Sequence, residues 1–194
     1  PAPSADRTVH LDRYWREGVL PPGLEEGTPR RGGTLTVRIN GNPPSLNSLL
    51  DSDGWAKRIT LHNVHEGLVR RDPRDHPNYR PVPELAERWE ESEDHRTFVF
   101  HLRHGIRWHD GRPFTSRDVR FTFERLLDPL VRAMHLRQAF QDLESVETPD
   151  DHTVVLRYRV PYVWALEKIA DVPILPAHAF EGMDAAAFNT APYH

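Results

Sequence analysis

The most regular pattern of apolar and polar positions lies between residues 81 and 119. Leu85, Ala86 and Trp89 recur at helical spacing, which predicts a short helix. Residues 97–103 (TFVFHLR) instead alternate between apolar and polar side chains with a period of two. That alternation is typical of a half-buried β-strand, so a helix followed by a strand is expected here.

A second short strand, a tight turn and another helix are predicted to follow this strand. Residues 110–113 (DGRP) have the composition of a turn. Thr115 or Ser116 can cap the next helix, and Asp118 in its first turn suits the positive end of the helix dipole. The whole run therefore predicts a mixed segment of short helices and strands.

The rest of the chain divides into three less regular parts. Residues 1–31 contain scattered prolines and one amphipathic stretch at 9–19, and can serve as a tether or as a partner-binding arm. Residues 34–39 alternate like a strand and lead into a Gly-Asn-Pro-Pro loop. From residue 173 onward we expect an extended Ile174–Leu175 pair and a short helix at about 183–188.

Taken in order, several segments closely resemble the extracytoplasmic solute-binding proteins of the peptide/nickel class (family 5), which deliver ligands to ATP-driven importers. Besides 81–119, the matching segments are GGTLTV at 32–37, PSLN at 44–47, HEGLVR at 65–70, FTFERLLDP at 121–129, SVETPDDHTV at 145–154, ILPAH at 174–178 and FNTAP at 188–192. His95 departs from the pattern, because the family usually has glycine there. Histidine tolerates a left-handed turn less well than glycine but better than most residues, so the turn is expected to persist.

The resemblance implies an α/β fold of the periplasmic-binding-protein-like type II class, in which a partial lobe one carries an inserted mixed α+β subdomain. Residues 1–31 would be an N-terminal extension or linker, and 32–53 the first segment of lobe one. Residues 54–172 would form the inserted subdomain, and 173–194 would return to a truncated lobe one. Family members are more than twice this length, so the second lobe, which closes over the ligand, is expected to be absent from this chain.

The resemblance also implies where ligand would approach this half of such a protein. One segment is Asp51, Ser52, Asp53, Gly54 and Trp55; the other is His135 and Leu136. The two aspartates can accept a ligand amine or a cation, Trp55 can supply an apolar wall, and His135 a polar one. An alternative stays open, in which residues 51–54 are an ordinary capped turn before a helix and Trp55 is a core residue.

The predicted function is the ligand-binding component of an ABC importer for oligopeptides, of which this chain is the N-terminal part. The expected partners are a small peptide and the membrane ABC permease, and the protein is expected to be a monomer. Its location would be periplasmic or extracytoplasmic and membrane-anchored, with an export signal upstream. The alternatives are a solute-sensing regulatory module on the same fold, or a receptor for a metal chelate or a sugar.

Composition and motifs exclude several other classes of function. A net charge of −4 argues against nucleic acid as a partner. The absence of cysteine excludes disulfides, thiolate catalysis and cysteine-bound metals. No G-x-S-x-G, P-loop or G-x-G-x-x-G motif is present, and no spacing singles out a pair of carboxylates. No catalytic residue and no cofactor are therefore expected.

Twelve histidines raise the question of a metal site. His62 and His65 would face the same side of a helix predicted at 55–65, and His101, His104 and His109 are close in sequence. No H-E-x-x-H motif accompanies them. They are interpreted as structural or surface histidines, and no protein metal site is predicted.

Overall fold

The computed structural model describes residues 45–50, 53–60, 64–72, 74–75 and 77–191. The strand predicted at 34–39, the amphipathic stretch at 9–19, and Asp51 and Ser52 lie outside the described residues. The helices are α1 (Gly54–Thr60), α2 (Ser116–Leu127), α3 (Met134–Arg137), α4 (Ala165–Ile169) and α5 (Ala185–Thr190). The strands are β1 (Val69–Arg71), β2 (Pro81–Pro83), β3 (Ala86–Glu91), β4 (Thr97–Leu102), β5 (Leu143–Asp150) and β6 (Thr153–Tyr158), and 3-10 turns lie at Gln138–Phe140 and Ala177–Phe180.

A four-stranded antiparallel sheet with the order β3-β4-β6-β5 forms the centre of the described part. The strand predicted at 97–103 is confirmed as β4, in which Phe98, Phe100 and Leu102 are buried and the residues between them are only half-buried. The apolar face of this strand and the buried residues of β6 lie in one core. Strands β1 and β2 form a separate antiparallel pair.

Helix α2 confirms the capping predicted from the sequence. The Thr115 N–H donates to Asp118 Oδ2 at 2.9 Å, which satisfies a backbone donor that the first turn leaves open. Val119, Phe123 and Leu126 recur at helical spacing and are fully buried in the core shared with the sheet. The turn before the helix is also confirmed, because Gly111 has a φ of 85° and donates to the Trp108 carbonyl at 2.9 Å.

The helix predicted from Leu85, Ala86 and Trp89 is wrong, because these residues belong to or border strand β3. Ala86 pairs with Leu102, but Arg88 pairs with His101, so a bulge breaks the register of β3 on β4. The bulge leaves two successive residues exposed between the buried Ala86 and the half-buried Trp89. A strand with an inserted residue thus shows the three-residue spacing that is typical of a helix.

Three further expectations need correction. The helix predicted at 55–65 is described only over Gly54–Thr60, and His65 lies beyond it, with its N–H on the Thr60 carbonyl at 2.8 Å. The short helix expected at about 183–188 is α5, at Ala185–Thr190. The second short strand predicted after residues 97–103 is reduced, in the described part of the chain, to an isolated bridge between Arg107 and Pro113.

The left-handed turn expected at His95 is confirmed, with a φ of 54°. The imidazole is hydrogen-bonded to Glu91, four residues earlier in the same hairpin. Within the described ranges, no helix is long and apolar enough to cross a bilayer.

Candidate functional site

The first segment with predicted ligand contacts, residues 51–55, includes the N-terminus of α1. Asp53 caps this helix, since the Ala56 N–H donates to Asp53 Oδ1 at 2.9 Å. Gly54 is the first helical residue and is exposed. Trp55 follows it in the helix, and Asp51 and Ser52 lie outside the described residues. The capped-turn alternative therefore correctly describes Asp53, although capping does not prevent a carboxylate from accepting further hydrogen bonds.

The turn at residues 45–50 is anchored to the end of the same helix. Ser48 Oγ donates to Thr60 Oγ1 at 2.9 Å, and Thr60 Oγ1 donates to the Ala56 carbonyl at 2.8 Å. Asn47 is fully buried and its Oδ1 accepts the Leu49 N–H, whereas its Nδ2 has no hydrogen-bond partner in the described part of the chain. A buried amide donor without a partner is costly, so Asn47 joins the candidate residues as a group that can donate to a ligand or to a water.

The second predicted segment, His135 and Leu136, lies in α3, and side chains hold in place the loop that joins α2 to this helix. The Arg137 guanidinium donates to the carbonyls of Leu126, Asp128 and Val131, and so closes the loop on itself. Asn189 of α5 accepts the Arg132 N–H at 2.9 Å and donates to the Leu130 carbonyl at 2.8 Å. Because these bonds satisfy the backbone, the loop has a fixed shape.

The side chains that this loop and α3 present differ from the sequence-based expectation. His135 is exposed, as a ligand contact requires, whereas Leu136 is half-buried and packs against the core. Leu130 and Met134, which the sequence analysis did not single out, are 74% and 76% exposed. Two large apolar side chains so close in sequence and so exposed are typical of a contact surface. Their sequence pattern alone does not distinguish them from the buried Val131 and Ala133 between them.

A second exposed apolar group lies on the connection between β6 and α4. Val163 and Trp164 are 72% and 64% exposed, and Val160 is 48% exposed. On the other side of α4, Asp171 forms a two-bond ion pair with Arg71 of β1, at 2.7 and 3.0 Å. That pair ties the β1–β2 hairpin to the end of α4.

Two open depressions on the described surface do not coincide with the predicted site. One, of about 570 Å³, is lined by Asp72, Arg74, Asp75, Arg80, Pro81 and Val82. Its charges neutralise one another, and the Arg80 guanidinium lowers the pKa of Asp75 to about 2. The other, of about 440 Å³, lies between α2 and residues 177–182, where Arg117 and Arg120 pair with Glu181 and Glu124. Paired surface charges of this kind offer little net field to a ligand.

Within the described ranges, no group of three or more histidine and carboxylate side chains is placed to hold a metal ion. Three of the exposed or half-buried histidines are instead paired with carboxylates: His95 with Glu91, His101 with Glu90 and His178 with Asp110. Asp53 and His135 occupy different elements, and their joint action on one ligand stays a prediction.

The family model for bacterial extracellular solute-binding proteins, family 5 (middle) matches residues 80–193. A Brucella ovis protein named for peptide binding by an ABC transporter is 39% identical over 158 residues, which cover 81% of this chain and 28% of that protein. This chain belongs to family 5 of the bacterial extracellular solute-binding proteins. The periplasmic oligopeptide-binding protein OppA of Salmonella typhimurium is a more distant relative, 29% identical over 75% of this chain and 29% of its own length.

Solved structures of the family share the fold. The binding protein AgaA of A. tumefaciens R10, in complex with agropinic acid, is 32% identical, with a TM-score of 0.67 over 77% of this chain and 29% of its own length. NikZ of Campylobacter jejuni, in complex with Ni(L-His), is 28% identical, with a TM-score of 0.66 over 79% of this chain and 29% of its own. The periplasmic-binding-protein fold predicted from the sequence is confirmed. The chain spans less than a third of the length of each of these proteins.

Proposed function

We propose that this chain is the N-terminal part of the ligand-binding component of an ABC importer for oligopeptides. The observation that carries the proposal is its 39% identity, over 81% of its length, to a Brucella ovis protein named for that role. The relatives compared above are named as binding proteins, and the sequence contains no G-x-S-x-G, P-loop or G-x-G-x-x-G motif.

The described residues provide a suitable chemistry for a peptide. Exposed Leu130 and Met134 offer an apolar surface, and Met is a side chain that adapts to ligands of different shape. Asp53 suits a ligand amine, and the buried Asn47 Nδ2 suits a ligand carbonyl. Asp51, Ser52, Gly54, Trp55, His135 and Leu136 remain proposed contacts beside them.

The domain division and the partners are part of the same proposal. Residues 54–172 would be the inserted subdomain, and 32–53 and 173–194 would belong to lobe one. Closure of a second lobe, encoded downstream, would bury the ligand and then release it to a membrane ABC permease. We further propose that the protein acts as a monomer after export, held at the outer face of the membrane.

Native mass spectrometry of the protein expressed with its natural downstream sequence tests this function. A ladder of co-purified masses that match short peptides is the expected result. A single sharp adduct, such as a metal chelate, an opine or a sugar, would overturn the peptide assignment. The absence of any adduct, together with no binding of a random peptide mixture, would instead favour a regulatory use of the fold.

The loop at residues 130–135 provides the site-specific part of the test. M134D should weaken peptide binding by about tenfold, since an introduced charge opposes burial of the ligand's apolar groups. M134L keeps the apolar surface and is the matched control, with binding close to wild type. Because Met134 is exposed, both variants should unfold at the wild-type urea concentration. Equal peptide affinity of M134D and M134L would remove this loop from the site.

A further inference from the structure

The rings of two histidines from different elements are in contact at one end of the sheet. The ring centroids of His104 and His152 are 3.9 Å apart, with an angle of 49° between the ring planes. His104 follows β4, and His152 lies in the turn between β5 and β6. The Leu102 N–H donates to the His152 carbonyl at 2.8 Å, so the backbone fixes the two segments against each other.

This pair differs from three other histidines of the described surface. His95, His101 and His178 each have a ring nitrogen hydrogen-bonded to a carboxylate. No described carboxylate or carbonyl hydrogen-bonds the ring of His104 or of His152. Asp150 accepts the backbone N–H of His152 through its Oδ1 at 2.8 Å.

His152 Nδ1 is buried and has no hydrogen-bond partner in the described part of the chain. A buried polar atom in this condition is unfavourable unless something binds it. Two neutral imidazoles side by side are the ligands that divalent copper, nickel and zinc prefer, whereas magnesium and calcium prefer oxygen.

We propose that His104 and His152 form a two-imidazole site for a late first-row divalent metal ion, completed by water. The site lies on the sheet of the described subdomain, and it uses none of the residues assigned above to the peptide ligand. It therefore goes beyond the proposed function and does not depend on it.

Chelation requires the two rings to move apart and to turn, so that one nitrogen of each points at the same ion. With metal–nitrogen distances of about 2.1 Å and an angle of 90–110° at the metal, the two ring centroids would lie about 4.5–5 Å apart. The rings must therefore separate by about 1 Å from the observed 3.9 Å. His104 is exposed and precedes Gly105, which has a φ of 74°, so its side chain can rotate outward while His152 stays in place.

Copper titration of the 194-residue chain, followed by NMR of the imidazole Cε1–H groups, tests the site. Paramagnetic Cu²⁺ should broaden the His104 and His152 signals first and together, at substoichiometric metal. Calorimetry should show tighter binding of Cu²⁺ than of Ni²⁺, and no binding of Mg²⁺. H104N and H152N should each weaken Cu²⁺ binding by more than about tenfold, because even the outer partners of a metal ligand change affinity by about 10–100-fold.

H178N is the matched control, because it removes a histidine that is paired with a carboxylate. It should leave the Cu²⁺ affinity unchanged. Urea unfolding of each variant without metal separates the loss of a metal-binding side chain from the loss of the fold. If H152N does not fold, the H104N variant alone tests the proposal. Broadening that begins at other histidines, or an affinity that H104N leaves intact, would overturn the proposal.

Discussion

Replacing Asp118 by alanine should destabilise the fold more than any other single change at a helix cap in the described part of the chain. The Asp118 side chain is almost fully buried and accepts two backbone hydrogen bonds at once. Its Oδ2 accepts the Thr115 N–H at 2.9 Å and so starts α2. Its Oδ1 accepts the Ala177 N–H, also at 2.9 Å, and so fastens residues 177–180 to that helix.

The size of the effect follows from the two amides that the substitution leaves without an acceptor. A hydrogen bond to a charged group contributes about 1.5–3 kcal/mol, and the loss is greatest where the donor stays buried. D118A should therefore lower the free energy of unfolding by about 3–5 kcal/mol, a large share of the 5–15 kcal/mol that is usual for a domain. D118N keeps one acceptor oxygen and should lose about half as much.

Asp184 provides the comparison, because it also caps a helix but through one exposed bond. Its Oδ1 accepts the Ala187 N–H at 2.7 Å, and D184A should cost about 1 kcal/mol. Urea unfolding followed by tryptophan fluorescence measures all three variants, with an unchanged slope as the sign of an unchanged unfolding reaction. Hydrogen exchange should show the Ala177 amide exchanging faster in D118A. A D118A protein within about 1 kcal/mol of wild type would refute the argument.

Two further predictions concern histidines. Burial first, and the nearby His109 second, lower the pKa of His65 from 6.5 to about 4. The stability that His65 contributes is therefore full above pH 6.5 and should fall by about 2–3 kcal/mol at pH 4.5. Urea unfolding at pH 7.5 and 4.5 should show a smaller fall in the free energy of unfolding for H65Q than for wild type. An equal fall in both proteins would contradict this prediction. His95 has a φ of 54°, so H95G should be at least as stable as wild type and H95V about 1–2 kcal/mol less stable. Thermal unfolding measures the order of stability of the three proteins. An H95V protein as stable as wild type would contradict the prediction.

The parts of the fold that sequence predicts correctly are those set by local chemistry. The alternation in TFVFHL identifies β4, because every second residue enters the core. The position of Thr115 and Asp118 identifies the start of α2, because a capping box depends on residues three apart in sequence. The left-handed turn at His95 is predicted instead from the resemblance to family 5, which usually has glycine there.

The parts that sequence misses depend on contacts between distant segments. The bulge in β3 is set by its pairing with β4, so the local pattern of Ala86 and Trp89 resembles a helix. The exposure of Leu130 and Met134 depends on Asn189, which lies almost sixty residues later and holds the loop. Asp53 is a helix cap in either interpretation, so its sequence position alone does not separate a structural role from a ligand contact.

The segment at residues 130–135 combines two properties. Its backbone is held by Arg137 from within and by Asn189 from α5, yet its apolar side chains Leu130 and Met134 lie mostly in solvent. Hydrogen bonds to the backbone of a loop stabilise the fold whatever the loop does. A loop that must meet a ligand gains further, because order that is established before binding is not lost during binding. We therefore propose that Leu130 and Met134 supply the apolar contact of the peptide site.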